Sequence, residues 1–486
     1  MRRSVPSEAS GAAQARGIAS ATTTSFRCSR QKCGGSSYLV PEQTDGKPFF
    51  HPRAEIFRAP AFLLEPRRNS GERMMNEIEV AVVGAGAAGL AAARLLRAAG
   101  VGVVLLEARD RIGGRAHTDV SRPAAPFDRG ASYIHAADQG NPWLGIAQAL
   151  GEPVVRDPRR RAILEAGQQV AIAAYDAALA DAWLRLAHAQ GAAGTQLPDT
   201  TPAQRYARAL VGPWLSGVAC ADVDAVDFVA AREGEDWLVP GGYGHLVAAT
   251  GAGLAVRLAC PVLAVRSLVD RVELATPQGT LRAAQAVITV PLGVLADGRI
   301  RFDPPLPAAV LAALDGLPMG NLVKLRVILD GDPLGVAEGT YVTAPPTDER
   351  AVLWLARPFG RLELMGFAGG SHGAELAALP PAALRAEVGR LLAAMAGGDA
   401  GRRVLACSVA DWQADPWALG SYAIARPGAA SARASLREPL AERLFYAGEA
   451  AAADGWHGTV AGAHLSGEAA GRAILAARAC RSPVIK

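Results

Sequence analysis

The stretch from Ile78 to Arg115, IEVAVVGAGAAGLAAARLLRAAGVGVVLLEARDRIGGR, constrains this chain more than any other. Ile78 to Val83 is an apolar, β-branched run ending in Gly84-Ala85-Gly86-Ala87-Ala88-Gly89, and small residues and leucines then recur at helical spacing as far as Gly100. That order reads strand, tight turn, helix. A second apolar run, Val101 to Leu106, ends at Glu107, 18 positions after Gly89, where a dinucleotide-binding βαβ unit wants a carboxylate for the adenosine ribose hydroxyls. The glycines let the backbone approach a pyrophosphate, and the helix N-terminus offers it free N–H groups and a positive dipole end. Gly84, Gly86, Ala88, Gly89 and Glu107 are therefore expected on a dinucleotide. A glycine-rich turn alone is weak evidence; strand, helix and acid together make it specific. The acid selects a ribose over a 2′-phosphate and leaves NAD and FAD both open.

The next residues separate the two. After Ala108, Arg109-Asp110-Arg111-Ile112-Gly113-Gly114-Arg115 puts two more glycines and three arginines behind the second strand, a second phosphate-facing loop that a simple nicotinamide enzyme does not need. With this loop the chain resembles the flavin-dependent amine oxidases, whose opening motif is G-x-G-x-x-G, an acid, then R-x-G-G-R. The resemblance implies an α/β chain, with a Rossmann-like FAD-binding domain and a discontinuous α+β substrate-binding domain. It implies FAD as cofactor, met by Ala108, Arg109, Gly114 and Arg115 as well as by the first loop.

Further motifs extend the resemblance over roughly residues 77 to 478 and bring it closest to the polyamine oxidases. Phe127-Asp128-Arg129-Gly130-Ala131-Ser132-Tyr133-Ile134-His135, followed by Gly140-Asn141-Pro142, is similar to their D-x-G-A-x-W-I-H segment, with Tyr133 where Trp is usual. Gly130, Ala131 and Ser132 then fall on the cofactor and His135 on the substrate. Asp236 to Gly244 resembles the family's G-G-Y turn. Cys260 to Val269 and Val272 to Ala275 read as a strand pair returning near the adenine, with Val262 on the cofactor. Val290-Pro291-Leu292-Gly293-Val294-Leu295 with Phe302-Asp303-Pro304-Pro305-Leu306-Pro307 is close to a family signature.

Lys324, after Met319-Gly320-Asn321, sits in an apolar strand, where an ammonium costs several kcal/mol unless paired or lowered in pKa. By resemblance it bonds through a water to flavin N5. Trp412, with Asp415-Pro416 and Gly420-Ser421-Tyr422, matches W-x-x-D-P…G-x-Y, placing Tyr422 as an aromatic wall beside the flavin. Ser421 stands where monoamine oxidases carry the cysteine that bonds the flavin, so FAD is expected to be non-covalent. Gly448-Glu449 ends a strand, and the resemblance implies that Glu449 faces the ribityl chain. Thr459-Val460 opens the last helix, which by the same resemblance starts at the flavin pyrimidine edge, with Thr459 the residue that polyamine oxidases and flavin histone demethylases carry there.

The domains implied are 77–150, 236–296 and 412–478 for FAD, and 151–235 and 297–411 for substrate. Residues 151 to 232 read as alanine-rich and helical. The acids Asp222, Asp224, Asp227, Glu233, Glu235 and Asp236 read as a solvated face, or as carboxylates at a funnel mouth. Residues 1–73 carry 12 Lys/Arg and 6 Asp/Glu, leaving −2 of the formal net charge of +4 to the rest, so the basicity belongs to an extension, 1–76, expected to be disordered ahead of a start at Met75. With half its 486 residues hydrophobic the chain can bury a large core.

Six scattered cysteines form no disulfide framework and no paired zinc motif, and no metal is expected. The composition suits a reducing cytoplasm. No basic stripe points to nucleic acid and no apolar run to a membrane.

The expected activity is oxidation of a small-molecule amine: hydride passes to flavin N5, the imine is hydrolysed, and O2 is reduced to H2O2 by a monomer or homodimer. Rivals on the same scaffold are an L-amino acid oxidase and a flavin desaturase or protoporphyrinogen-type oxidase; the non-enzyme alternative is a flavoprotein-fold binding module or a demethylase-like partner of chromatin.

Overall fold

In a computed structural model the chain is described over residues 78–121, 125–441 and 443–481. The expected extension at 1–76, Met75, Cys28 and Cys33 lie outside the described residues. Ile78–Val83 pairs in parallel with Val103–Leu106 on one side and Gly279–Ile288 on the other. The full eight-stranded sheet runs Val256–Arg257, Val103–Leu106, Ile78–Val83, Gly279–Ile288, Val272–Thr276, Ala264–Ser267, Arg301–Asp303, with Leu444–Tyr446 also pairing on Gly279–Ile288. Val80, Ala81 and Val82 are fully buried, which explains a run without polar alternation: a parallel strand covered on both faces has no wet side. The Ala87–Ala98 helix covers one face and packs on the Val460–Arg481 helix backbone to backbone, since a Cβ on Gly467 would stand 2.1 Å from the Ala88 carbonyl oxygen.

A second sheet, of seven strands, runs Val404–Ala410, Leu322–Leu329, Glu363–Gly369, Leu353–Ala356, Thr340–Thr343, Arg160–Glu165, Gln168–Val170. Register puts Val323, Leu325, Val342, Trp354 and Leu364 on one face, packed against Leu384, Val388 and Leu392 of the Pro381–Ala396 helix. The alternate residues Lys324, Phe367, Met365, Leu355 and Tyr341 share the other face. Tyr175, Tyr206 and Trp214, from the helical stretch 173–214, pack over that face and give it an aromatic cover.

Two readings of the sequence are corrected here. Residues 151–172 are not helical: Val155–Arg156, Arg160–Glu165 and Gln168–Val170 are strands, and helix begins at Ala173. Pro153 and Pro158 interrupt helical hydrogen bonding, Gly167 turns the hairpin at φ +83°, and Thr340–Thr343 offers Arg160–Glu165 a parallel partner. The acidic stretch is not simply a solvated face either. Asp224 is buried, caps the Ala225–Val229 helix and accepts from Gly428 N–H at 2.6 Å; Asp227 is buried and grips Arg433 through bonds of 2.6 and 2.7 Å. Arg301–Asp303 pairs in parallel with Ala264–Ser267, so the first sheet continues past residue 296. No helix among the described residues is long and apolar enough to cross a membrane, and no group of three or more His, Cys, Asp or Glu among them is placed to hold a metal ion.

Candidate active site

The two glycine loops lie against each other: Gly86 bridges Gly113, and Gly113 N–H donates to Ala85 O at 2.8 Å. Gly84 (φ +107°) and Gly89 are closed in by protein, a Cβ on Gly89 falling 2.0 Å from the Gly84 oxygen. Gly86 is different. A Cβ there would meet nothing nearer than Gly114 Cα at 3.9 Å, so its bare Cα faces open space that a pyrophosphate can approach. The helix that follows has no side-chain cap and no acid in its first turn, which leaves its N–H groups to an anion. Ala88 is buried beneath them. Glu107 is buried, accepts Ala85 N–H at 2.8 Å and Arg109 N–H at 2.9 Å, and so ties the acid turn to the first loop. Ala259 and Cys260 N–H groups strap onto the Arg109 and Glu107 carbonyls at 2.7 and 2.8 Å. This brings buried Val262 and half-buried Ala108 to the same end, although the strand expected over 260–269 spans only Ala264–Ser267. These features fit a dinucleotide.

From the second loop Arg115 reaches onward, its Nη1 donating to Ser421 O and Glu449 Oε1, both at 2.9 Å. The Arg115 carbonyl accepts Ala131 N–H at 3.3 Å, and a Cβ on Gly130 would fall 1.7 Å from that oxygen and 3.0 Å from the Trp412 ring. Trp412 Nε1 donates to Arg129 O at 3.0 Å, and Arg109 lies over the Trp412 ring while pairing with Asp415 at 2.6 Å. Together with Arg111, His117 and Arg129 they line a cleft of about 330 Å³. Burial, then Arg111 and Arg129, hold the His117 pKa at about 4, so its positive charge comes from arginines. That suits a pyrophosphate.

At the far end Gly448 is anchored by Ser466, whose hydroxyl donates to the Gly448 carbonyl and accepts its N–H, both at 2.9 Å. The Thr459 hydroxyl donates to Trp456 O at 2.7 Å and accepts Gly462 N–H at 2.9 Å, capping the helix that Val460 begins. Ser421 Oγ is committed as well, donating to Gly320 O at 2.8 Å and accepting Leu322 N–H at 3.1 Å.

Lys324 is buried in the Leu322–Leu329 strand. Its Nζ donates to Asp128 O at 3.3 Å, to Gly130 O and to Ser132 Oγ, and lies 5.7 Å over the Phe367 ring. Burial pulls its pKa down to about 8, against the charge of Asp128. Asp128 itself is buried, which pushes its pKa up, and is held by Thr118 Oγ1 at 2.6 Å and the Tyr243 and Gly244 N–H groups at 2.9 and 3.1 Å. Asp128 belongs to the 127–135 motif, whose sequence alone assigns it no role. Tyr422 donates to Leu215 O at 2.7 Å, and burial pushes its pKa up.

Of Lys324, Tyr422 and His135, the residues expected around the reacting centre, His135 stands apart. Its side chain is 44% exposed and its contacts are Asp236, 3.0 Å from Nδ1, and the Tyr133 ring at 5.5 Å, rather than the Lys324 cluster. Asp236 also takes Arg159 at 2.8 Å; although burial opposes it, these partners hold the Asp236 pKa at about 2. Arg159, Asp157 and Tyr341 were missed altogether, because only tertiary pairing brings them here.

Comparison with known proteins gives the family and the fold. The profile of the flavin containing amine oxidoreductases matches residues 178–475, and that of the NAD(P)-binding Rossmann-like domain matches 82–150. Polyamine oxidase 3 of Oryza sativa subsp. japonica is 30% identical over 455 residues, 83% of this chain and 89% of that protein. Polyamine oxidase 4 of the same plant is 29% identical over 447 residues, 84% of this chain and 89% of the relative. Among solved structures, cyclohexylamine oxidase from Brevibacterium oxydans IH-35A superposes with a TM-score of 0.68 at 22% identity, over 84% of this chain and all of that one.

Proposed function

The chain belongs to the flavin containing amine oxidoreductase family and is an FAD-dependent amine oxidoreductase, and from that premise we propose that it oxidises a polyamine-like amine, with O2 as electron acceptor and H2O2 as product. The observation that carries this reading is the position of Lys324, a buried amine held on the same Asp128–Ser132 segment that packs against Arg115 and Trp412. When bound, FAD supplies a hydride acceptor, flavin N5, for the α-carbon hydrogen of a neutral amine. Gly84 to Gly89, Glu107, Ala108, Arg109, Gly114 and Arg115 hold its phosphates and adenosine in this reading, and Gly130 to Ser132, Trp412, Gly448, Glu449, Thr459 and Val460 its flavin half, with Val262 near the adenine.

Protein groups then orient and exclude. Tyr422, fixed through Leu215, presents an aromatic face to the amine. The aromatic cover of Tyr175, Tyr206 and Trp214 shields the sheet face that bears Lys324 from bulk solvent. With a pKa near 8 the Lys324 amine can hold or release a proton close to neutral pH, and it serves the oxygen or imine step through a water. His135 meets the distal part of the substrate. Ser421 carries no thiol and its hydroxyl is occupied, so FAD stays non-covalent. Both rice relatives are named polyamine oxidases.

Anaerobic mixing of purified protein with polyamines, acetylated polyamines, monoamines and amino acids, following loss of the oxidised-flavin visible band, tests the substrate class. Bleaching by polyamines is the expected result; bleaching by amino acids alone overturns it. Readmitting air and assaying H2O2 with a coupled peroxidase tests the acceptor.

A further inference from the structure

A chain of hydroxyls leads away from the Lys324 cluster, and it starts at the residue that departs from the family pattern, Tyr133 in place of Trp. Ile134 is fully buried in the core of the first sheet, so strand alternation turns Tyr133 the other way, onto the face of Phe367, Met365 and Tyr341. Its ring lies 6.3 Å from the Phe367 ring, over which Lys324 Nζ sits at 5.7 Å, and the preceding residue, Ser132, itself accepts from that Nζ. Tyr133 Oη is 2.9 Å from Tyr341 Oη, and Tyr341 Oη is 2.5 Å from Asp157 Oδ2. Asp157 is buried, with Oδ1 accepting Arg159 N–H at 2.8 Å.

Tyr341 has one proton and two neighbours. An ionised carboxylate only accepts, and 2.5 Å is the length of a charge-assisted O–H···O⁻ bond, so Tyr341 donates to Asp157. Tyr133 must then donate to Tyr341, which leaves the Tyr133 oxygen as an acceptor polarised by the charge of Asp157 two hydroxyls away. Trp at this position would offer only an N–H donor, the wrong polarity for an ammonium. On the Tyr341 side of Tyr133 the surroundings carry the same sign: Asp157 and Asp236 lie near a single guanidinium, that of Arg159, and His135 adds charge only when protonated, while the Lys324 ammonium lies on the other side, over the Phe367 ring.

We propose that Tyr133 Oη, backed by Tyr341 and Asp157, is a subsite for the second nitrogen of a diamine or polyamine, so that the chain prefers substrates with two cationic centres over monoamines of equal length. The inference rests on the amine-oxidation reading above. Tyr133 touches substrate; Tyr341 and Asp157 are positioning residues that act through it.

The test compares 1,4-diaminobutane with n-pentylamine, in which a methyl replaces the second nitrogen, as the concentration that half-saturates anaerobic flavin bleaching. In Tyr133→Phe, which keeps the ring and loses the oxygen, the diamine-over-monoamine preference should fall about tenfold, the scale of one lost hydrogen bond to a charged group. Tyr341→Phe should lower the same ratio, and the double variant should lose no more than Tyr133→Phe alone, because Tyr341 works through the Tyr133 oxygen. Independent losses that add would mean separate packing effects and overturn the relay. An unchanged ratio in Tyr133→Phe overturns the subsite, as does a wild-type enzyme that takes both amines equally well. Should Tyr133→Phe lose its flavin, Tyr133→Trp carries the same test. A wild type that no amine bleaches would defeat the amine-oxidation reading itself, a result distinct from the others.

Discussion

Lys324 shows how far a single residue could be read. Its place in an apolar strand and the turn before it marked it out, yet its holders are the Asp128 and Gly130 carbonyls and the Ser132 hydroxyl, nearly two hundred residues away. Replacing it with methionine should slow reoxidation of the reduced enzyme by O2 more than it weakens amine binding; oxygen kinetics that do not change in stopped-flow would remove Lys324 from that step. Its lowered pKa has a consequence for stability as well. Between about pH 8 and the ordinary lysine range the unfolded chain binds the proton and the folded one does not, so this residue makes stability rise with pH through that window. The difference in urea unfolding free energy, wild type minus Lys324→Met, should therefore grow from pH 8 to 10, and a constant difference would contradict the depressed pKa. Amine oxidation itself should accelerate from neutral to alkaline pH, since only the neutral amine gives up a hydride; a flat profile counts against the mechanism.

At the scale of elements the close approaches decide what substitution does. Gly130 has no room for a side chain between the Arg115 carbonyl and the Trp412 ring. Gly130→Ala should push apart the two segments expected to share the flavin, giving protein that keeps its helical circular dichroism but purifies with little bound FAD. Wild-type flavin content in that variant would show that the loop relaxes. The Asp227–Arg433 pair ties the Ala225–Val229 helix to the Ala432–Ser435 helix, with Arg433 also donating to the Ala423 and Ala450 carbonyls at 3.1 and 3.3 Å. Asp227→Ala leaves a buried guanidinium without its counter-charge and should cost about 3–5 kcal/mol, read as a fall in the urea midpoint. The boundaries of the Rossmann elements were legible because glycine turns and apolar runs are local signals. The strands within 155–170 were not, because a short, arginine-rich segment without apolar alternation takes the conformation its neighbour offers, here the parallel edge of Thr340–Thr343.

For the whole molecule, the groups expected on FAD come from 84–115, 130–132, 262, 412–422 and 448–460, segments far apart in the chain. A ligand that contacts all of them stabilises the folded chain by mass action, roughly 2.7 kcal/mol at a free concentration a hundred times its dissociation constant. Adding FAD to stripped protein should raise its melting temperature in a concentration-dependent way, and a melting temperature indifferent to FAD would mean that these segments do not hold it.

The sequence alone determined the nucleotide cradle and the family. A glycine turn, an acid 18 residues on and an arginine loop act through backbone conformation and chain spacing, which a few consecutive residues specify. Tertiary structure alone decided that Asp224 and Asp227 are buried supports, that His135 spends its ring on Asp236 and Tyr133, and that Tyr341 links Tyr133 to Asp157 across 208 and 184 positions of chain. Such bonds depend on strand register and on which face of each strand is turned inward. Those are properties of the packed sheets, and no local pattern of residues encodes them.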